Sequence, residues 1–168
     1  HADGPAGSAL AYAAGISMFA FNHGTSAAAG SIAGTIENSG SLKIFSRVDA
    51  ADSGTLSAAA TGIYLSSTRN NATVVNSGTI DVSAVTARGA PANAWGAHVV
   101  TGFSGDPAQA GDLFTFTNDG GTIIARQSTD GGETWQRGMA IDLTEAPNAS
   151  VVNLIGDGVI YGNIAVQS

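Results

Sequence analysis

The decapeptide Val75-Asn76-Ser77-Gly78-Thr79-Ile80-Asp81-Val82-Ser83-Ala84 holds a turn followed by a strand. Asn and Gly tolerate positive φ, so Asn76-Ser77-Gly78 reads as a turn. After it Ile80, Val82 and Ala84 alternate with Asp81 and Ser83, the period-two signature of a strand with one buried face. The turn returns as Asn38-Ser39-Gly40-Ser41-Leu42, as Asn118-Asp119-Gly120-Gly121-Thr122-Ile123 and, more loosely, as Gly156-Asp157-Gly158-Val159-Ile160, with starts 38, 42 and 38 residues apart. Ile36, Val74, Phe116 or Leu154 leads into each copy. A second string alternates with the first: Gly15-Ile16-Ser17-Met18, Gly62-Ile63-Tyr64-Leu65, Gly96-Ala97-His98-Val99 and Gly138-Met139-Ala140-Ile141.

Two marker strings in fixed order over most of the chain describe a repeat of roughly 40 residues, each with about three short strands and no amphipathic helix. Such a unit cannot bury its apolar face alone, and stacking successive units solves this. The expected fold is therefore all-β: a right-handed parallel β-helix (β-solenoid) of about four coils, with units near 11–46, 60–85, 95–127 and 136–166, in one domain spanning 1–168. Length variation between Thr101 and Gly111, and between Thr86 and Asn93, reads as loops projecting from the coils. In-register stacking brings like positions together, so Asn38, Asn76 and Asn118 are expected to form a ladder at one corner.

Composition agrees with a thin core. Of 168 residues 30 are Ala and 23 are Gly, and only 11% are charged, against about 25% in an average soluble domain. Thirteen acids against six basic residues, a net charge of −7, leave no surplus of cations to neutralise phosphates, so nucleic-acid binding is excluded. No cysteine is present, which removes disulfides, thiolate metal sites and cysteine nucleophiles. The longest apolar stretch, Ala9 to Phe21, is too short for a spanning helix of about 20 residues, and no basic segment precedes it, so no intact signal peptide is read and the chain is expected to be a processed or excised piece.

The Asn-x-Gly turns at Val75–Ile80 and Ile36–Leu42, the strands at Gly62 and Gly138, and the run Gly156 to Ile164 together resemble the passenger domains of bacterial autotransporters and related secreted β-solenoid adhesins. The resemblance covers about Ala11 to Val166. It implies export to the bacterial outer-membrane or extracellular surface, and an adhesive role toward surface glycans or host and other cell surfaces; the family's membrane β-barrel has no counterpart here. Locally, Ser128-Thr129-Asp130-Gly131-Gly132-Glu133-Thr134-Trp135 resembles an Asp-box, the S-x-D-x-G-x-T-W hairpin of sialidase-type propellers. That resemblance implies a turn tied by Ser128, Asp130 and Thr134 around Gly132, with Trp135 packing beneath it. A propeller needs several boxes and an arginine triad; the chain has one box, and its arginines are Arg47, Arg69, Arg88, Arg126 and Arg137.

No catalytic, metal-binding or cofactor-binding residue is assigned. Asp119, Asp130 and Asp157 are isolated acids in turns, the residue type that turns favour, and His1, His23 and His98 are scattered. Gly102-Phe103-Ser104-Gly105-Asp106 departs from a nucleophile elbow at its fifth position. Asp81, Asp142 and Glu145 are the acids that adjacent coils would have to bring together in a polysaccharide-active β-helix. Tyr12, Phe19, Phe21, Phe45, Tyr64, Trp95, Phe103, Trp135 and Tyr161 can be read as a carbohydrate-stacking stripe, but most fall in expected strands or turns, where aromatic residues usually fill the core or cover an end. Trp95 and Phe103, which flank loops, are the exceptions. Asn71-Ala72-Thr73 and Asn148-Ala149-Ser150 are read as turns rather than glycan acceptors. Three functions follow in descending order: a non-catalytic exported structural or adhesive solenoid, a self-assembling filament or surface-layer subunit, and a polysaccharide-active enzyme. The uncharged run Val159 to Val166 leaves an unprotected strand edge, so Ile164 and Val166 are the expected assembly edge, toward further copies of the chain or more of its own parent chain.

Overall fold

Ile80, Val82 and Ala84 are fully buried, and Asp81 between them is partly exposed. The same alternation builds the rest of the chain in this computed structural model, which describes residues 9–20, 30–49, 55–101, 112–147 and 149–167. All regular structure among these residues is β-strand. The first strands are β1 (Ala9–Ala20), β2 (Ser31–Asn38) and β3 (Ser41–Arg47). Next come β4 (Leu56–Ser67), β5 (Arg69–Asn76) and β6 (Thr79–Val85), then β7 (Ala92–Thr101), β8 (Thr115–Asp119), β9 (Thr122–Ser128) and the short β10 (Gln136–Arg137). The chain closes with β11 (Met139–Glu145), β12 (Val151–Ile155), β13 (Val159–Tyr161) and β14 (Asn163–Val166).

These strands form three sheets. One runs β1-β4-β7-β11-β14, a second β2-β5-β8-β12, and a third β3-β6-β9, which β13 joins at β9. Every one of these pairs is parallel. Only β10 runs antiparallel, folding back on β9 as a hairpin. The chain therefore visits the sheets in a fixed cycle, and like residues meet across strands: Ile16, Ile63, Ala97 and Ile141 in the first sheet, and Leu42, Ile80, Ile123 and Ile160 in the third.

One apolar cluster lies between the sheets. The first sheet contributes small side chains, Ala58, Ala60, Ala92, Ala94, Ala97 and Ala140, each at most 3% exposed. Ile80, Val82 and Ile123 from the third sheet, Val74 and Phe116 from the second, and Phe114 just before β8 are fully buried beside them. Full burial of each large aliphatic or aromatic side chain contributes roughly 1.5–3 kcal/mol. Gly62 permits the close approach, since a Cβ there would stand 2.4 Å from the Gly96 carbonyl and 2.6 Å from Ile80 Cγ2.

The last unit departs from the sequence reading in two places. Leu154, expected to lead into the turn, pairs with Asn118, and Val152 is the residue that pairs with Phe116. Gly138, expected to align with Gly96, is displaced by two residues: Met139 pairs with Trp95 and Ile141 with Ala97, which sets Ala140 beside Gly96. Strands occupy the stretches 9–47, 56–85, 92–137 and 139–166.

Candidate functional site

At the corner between the second and third sheets, Asn38, Asn76 and Asn118 sit directly above one another. Asn38 Nδ2 donates to Asn76 Oδ1 at 2.7 Å, and Asn76 Nδ2 donates to Asn118 Oδ1 at 2.7 Å. Asn118 Nδ2 closes the row on the Gly121 carbonyl at 2.8 Å. An Asn amide carries donor and acceptor on one short arm, so it can bond a neighbour on each side. All three are buried, where an unpaired amide would be costly. Leu154 takes the next position, and the row ends there.

The hairpin between β9 and β10 is tied by its own polar side chains. Ser128 Oγ donates to Asp130 Oδ1 at 2.7 Å and accepts the Gly132 amide at 2.8 Å. Asp130 accepts the Thr134 amide at 3.0 Å and the Thr134 hydroxyl. Those bonds, from the Thr134 side chain first and then its amide and Ser128, hold the Asp130 carboxyl far below the usual carboxylate range. The turn is also fastened to the preceding loop: Gly131 N donates to Thr86 O, and Gly89 N to Thr129 O, both at 2.8 Å. Trp135 lies against the turn, its Cζ2 3.9 Å from where a Cβ on Gly132 would stand, with the Arg126 guanidinium 5.1 Å from its ring centroid, and is 41% exposed. Arg126 Nε in turn donates to Ser83 Oγ at 2.9 Å.

A groove of about 360 Å³ lies on the first sheet, lined by Tyr12, Phe19, Tyr64, Trp95 and His98, with Ala59 and Thr61 between the rings. Sequence alternation breaks here, because the pairs Gly62-Ile63 and Gly96-Ala97 are both buried. Thr61 and Tyr64, three residues apart, therefore share the outer face, as do Trp95 and His98. The register sets Thr61 beside Trp95 and Tyr64 beside His98. The rings form a row: Phe19 meets Tyr64 edge-on at 5.5 Å, Tyr64 meets His98 at 5.4 Å, and His98 stacks on Trp95 at 5.2 Å with 13° between planes. Asp142 pairs with His98 on the adjacent strand. Burial pushes the His98 imidazole below its usual value, while the charges of Asp142 and Glu145 pull it the other way.

Several sequence-nominated residues do not converge. Asp81 lies on β6 in the third sheet, 3.5 Å from Arg126, whereas Asp142 and Glu145 lie on β11 in the first. Trp95 is mid-strand rather than beside a loop. Asn71 sits in β5, where its amide donates to the buried carboxylate of Asp112 at 3.2 Å and its carbonyl accepts the Leu113 amide at 3.0 Å. Phe103, the loop at 102–111, His1, His23, Phe21 and Asn148 lie outside the described residues. Among the described residues no group of three or more His, Asp or Glu is gathered to hold a metal ion, and no helix is long and apolar enough to cross a membrane. Ile164 and Val166 on the last strand are 42% and 53% exposed, as are Leu154 and Val159 at 55% and 56%. Compared with known protein families, characterised proteins and solved structures, the chain matches none.

Proposed function

We propose that the chain is a stretch of an exported, non-catalytic β-solenoid with a structural or adhesive role at a bacterial cell surface. It is a right-handed parallel β-helix of about four coils, of the kind that autotransporter passengers resemble. The observation that carries this reading is the fixed cycle of strands through three parallel sheets with like residues in register. Right-handedness follows from the strong general preference of parallel crossovers. The separation of Asp81 from Asp142 and Glu145 onto different sheets favours a non-catalytic role. Antibody against the 168-residue chain tests location in the source cells: external protease should remove the epitope from intact cells while sparing a cytoplasmic marker. Protection until lysis contradicts the proposal.

Exposed apolar side chains on the last strands support a second reading, association at that edge with another copy or with more of the parent chain. Lys at positions 164 and 166 should abolish any concentration-dependent sedimentation while leaving the melting curve of the inner strands unchanged. A chain that stays monomeric at millimolar concentration without these changes contradicts copy-to-copy stacking.

A further inference from the structure

We propose that the groove lined by Tyr12, Phe19, Tyr64, Trp95 and His98 binds a neutral glycan chain, pyranose faces against the rings and hydroxyls toward His98 and Asp142. Binding sites for small ligands are concave, largely apolar and furnished with a few polar groups that orient the ligand. The first sheet has both parts. Its outer face carries the aromatic row, although aromatic residues on a strand usually gain most by facing the core. Tyr12 and Phe19 are 55% and 59% exposed, so this end of the groove is open to solvent. Ala59 and Thr61 keep the floor between the rings low.

The arrangement also selects among ligand classes. Neighbouring ring centroids stand 5.2–5.5 Å apart: Phe19, Tyr64 and His98 step across β1, β4 and β7, parallel strands that lie about 4.8 Å apart, and Trp95 follows three residues back along β7, each step comparable to one pyranose ring. A row of this kind suits a linear chain of rings. It does not suit a quaternary ammonium ion, which needs rings grouped around one point. Among the described residues no Lys or Arg lines the groove, Asp142 stands beside His98, and the net charge is −7, so an anionic polysaccharide is repelled. A neutral ligand rich in hydroxyls has donors for the Asp142 carboxylate and C–H faces for the rings. The inference rests on the adhesive reading for its biological sense. Its test reads binding by the purified chain, so its failure is distinguishable from a failure of surface location.

The purified 168-residue chain is titrated with hexasaccharides of glucose, mannose and N-acetylglucosamine, with an oligogalacturonate, and with choline, following tryptophan fluorescence and calorimetric heat. At least one neutral hexasaccharide should bind, and oligogalacturonate and choline should not. Trp95→Ala and Tyr64→Ala should weaken that binding at least tenfold. Because Trp95 is half-buried, Tyr12→Ala and Phe19→Ala serve as variants with little cost to folding, each expected to weaken binding severalfold at an unchanged melting temperature. Trp135→Ala, on the hairpin of the third sheet, should leave affinity unchanged. Absence of binding to all three neutral hexasaccharides overturns the proposal. So does binding that survives the Tyr12, Phe19 and Tyr64 changes, binding only of the anionic chain or choline, or self-association of the chain through the groove in place of sugar.

Discussion

Replacing Asn76 with Ala leaves the buried Asn118 Oδ1 acceptor without its donor and takes from Asn38 Nδ2 its 2.7 Å bond, leaving only the one to the Thr79 carbonyl at 3.2 Å. Each buried group left unpaired costs about 1–3 kcal/mol, and at this chain length each kcal/mol lowers the melting temperature by about 2–4 °C. The proper comparison is Asn93→Ala, the same change at an exposed position, where an effect within about 0.5 kcal/mol is expected. Ser83 would be a poor control: it faces outward in the strand but is only 5% exposed and accepts a bond from Arg126. Equal melting temperatures for Asn76→Ala and Asn93→Ala would contradict the ladder's energetic role. Asp130 gives a residue-scale pH prediction. Its carboxyl is held well below the usual range, so its contribution is complete above the unfolded value of about 3.9 and is lost only as pH falls through the depressed folded value. In a Trp95→Phe background, Trp135 fluorescence should therefore stay native-like at pH 4 and change only under stronger acid, and Asp130→Ala should shift it already at neutral pH. A Trp135 transition centred in the ordinary carboxylate range would show that the ties to Ser128 and Thr134 do not stabilise the hairpin.

Within single strands, glycine decides where the backbone bends. Gly62 sits where a Cβ would come 2.4 Å from a backbone oxygen of β7, and neither side can yield without breaking the parallel pair. Gly62→Ala should cost several kcal/mol, at or beyond the roughly 4–5 kcal/mol that marks exceptional substitutions. Gly40→Ala, where an added Cβ has no neighbour within 4 Å, should be nearly neutral. Comparable urea midpoints for the two variants would refute the close-approach argument. The same bend explains what was readable in advance. Regular alternation made β3 and β6 legible, and the Asn-x-Gly turns marked three corners, because those signals are local. The aromatic groove was not legible: Trp95 and His98 reach one face only because Gly96 and Ala97 both turn inward between them, which a strict period of two conceals. Gly138 is misplaced because β11 pairs with β7 two residues away from a Gly-to-Gly alignment, Met139 beside Trp95 and Ile141 beside Ala97: backbone pairing, rather than likeness of a Gly-apolar string, sets register. Leu154 misled because it is apolar at a position where the earlier units carry Asn.

For the molecule as a whole, stability comes from sheets that continue from unit to unit, so each inner strand gains partners on both sides while, among the described residues, β1, β2, β3 and the last strands stand at the sheet ends. On the proposed reading, the ends are the place for association and the outer face of the first sheet the place for a ligand. Everything rests on parallel strands stacked in register. The chain has no cysteine, so an introduced pair reports register against a clean background. Thr73 and Thr115 are register partners on β5 and β8, and Thr117 instead pairs with Val75. Neighbouring strands place partner Cα atoms about 4.8 Å apart, inside disulfide range, whereas a two-residue offset opens the distance to about 8 Å, beyond it. The most direct test is the extent of disulfide closure on mild oxidation, read by mass spectrometry, in Thr73→Cys/Thr115→Cys and in Thr73→Cys/Thr117→Cys. Near-complete closure of the first pair and little of the second is the predicted result, and equal closure, or preferential closure of the offset pair, would contradict the stacked register.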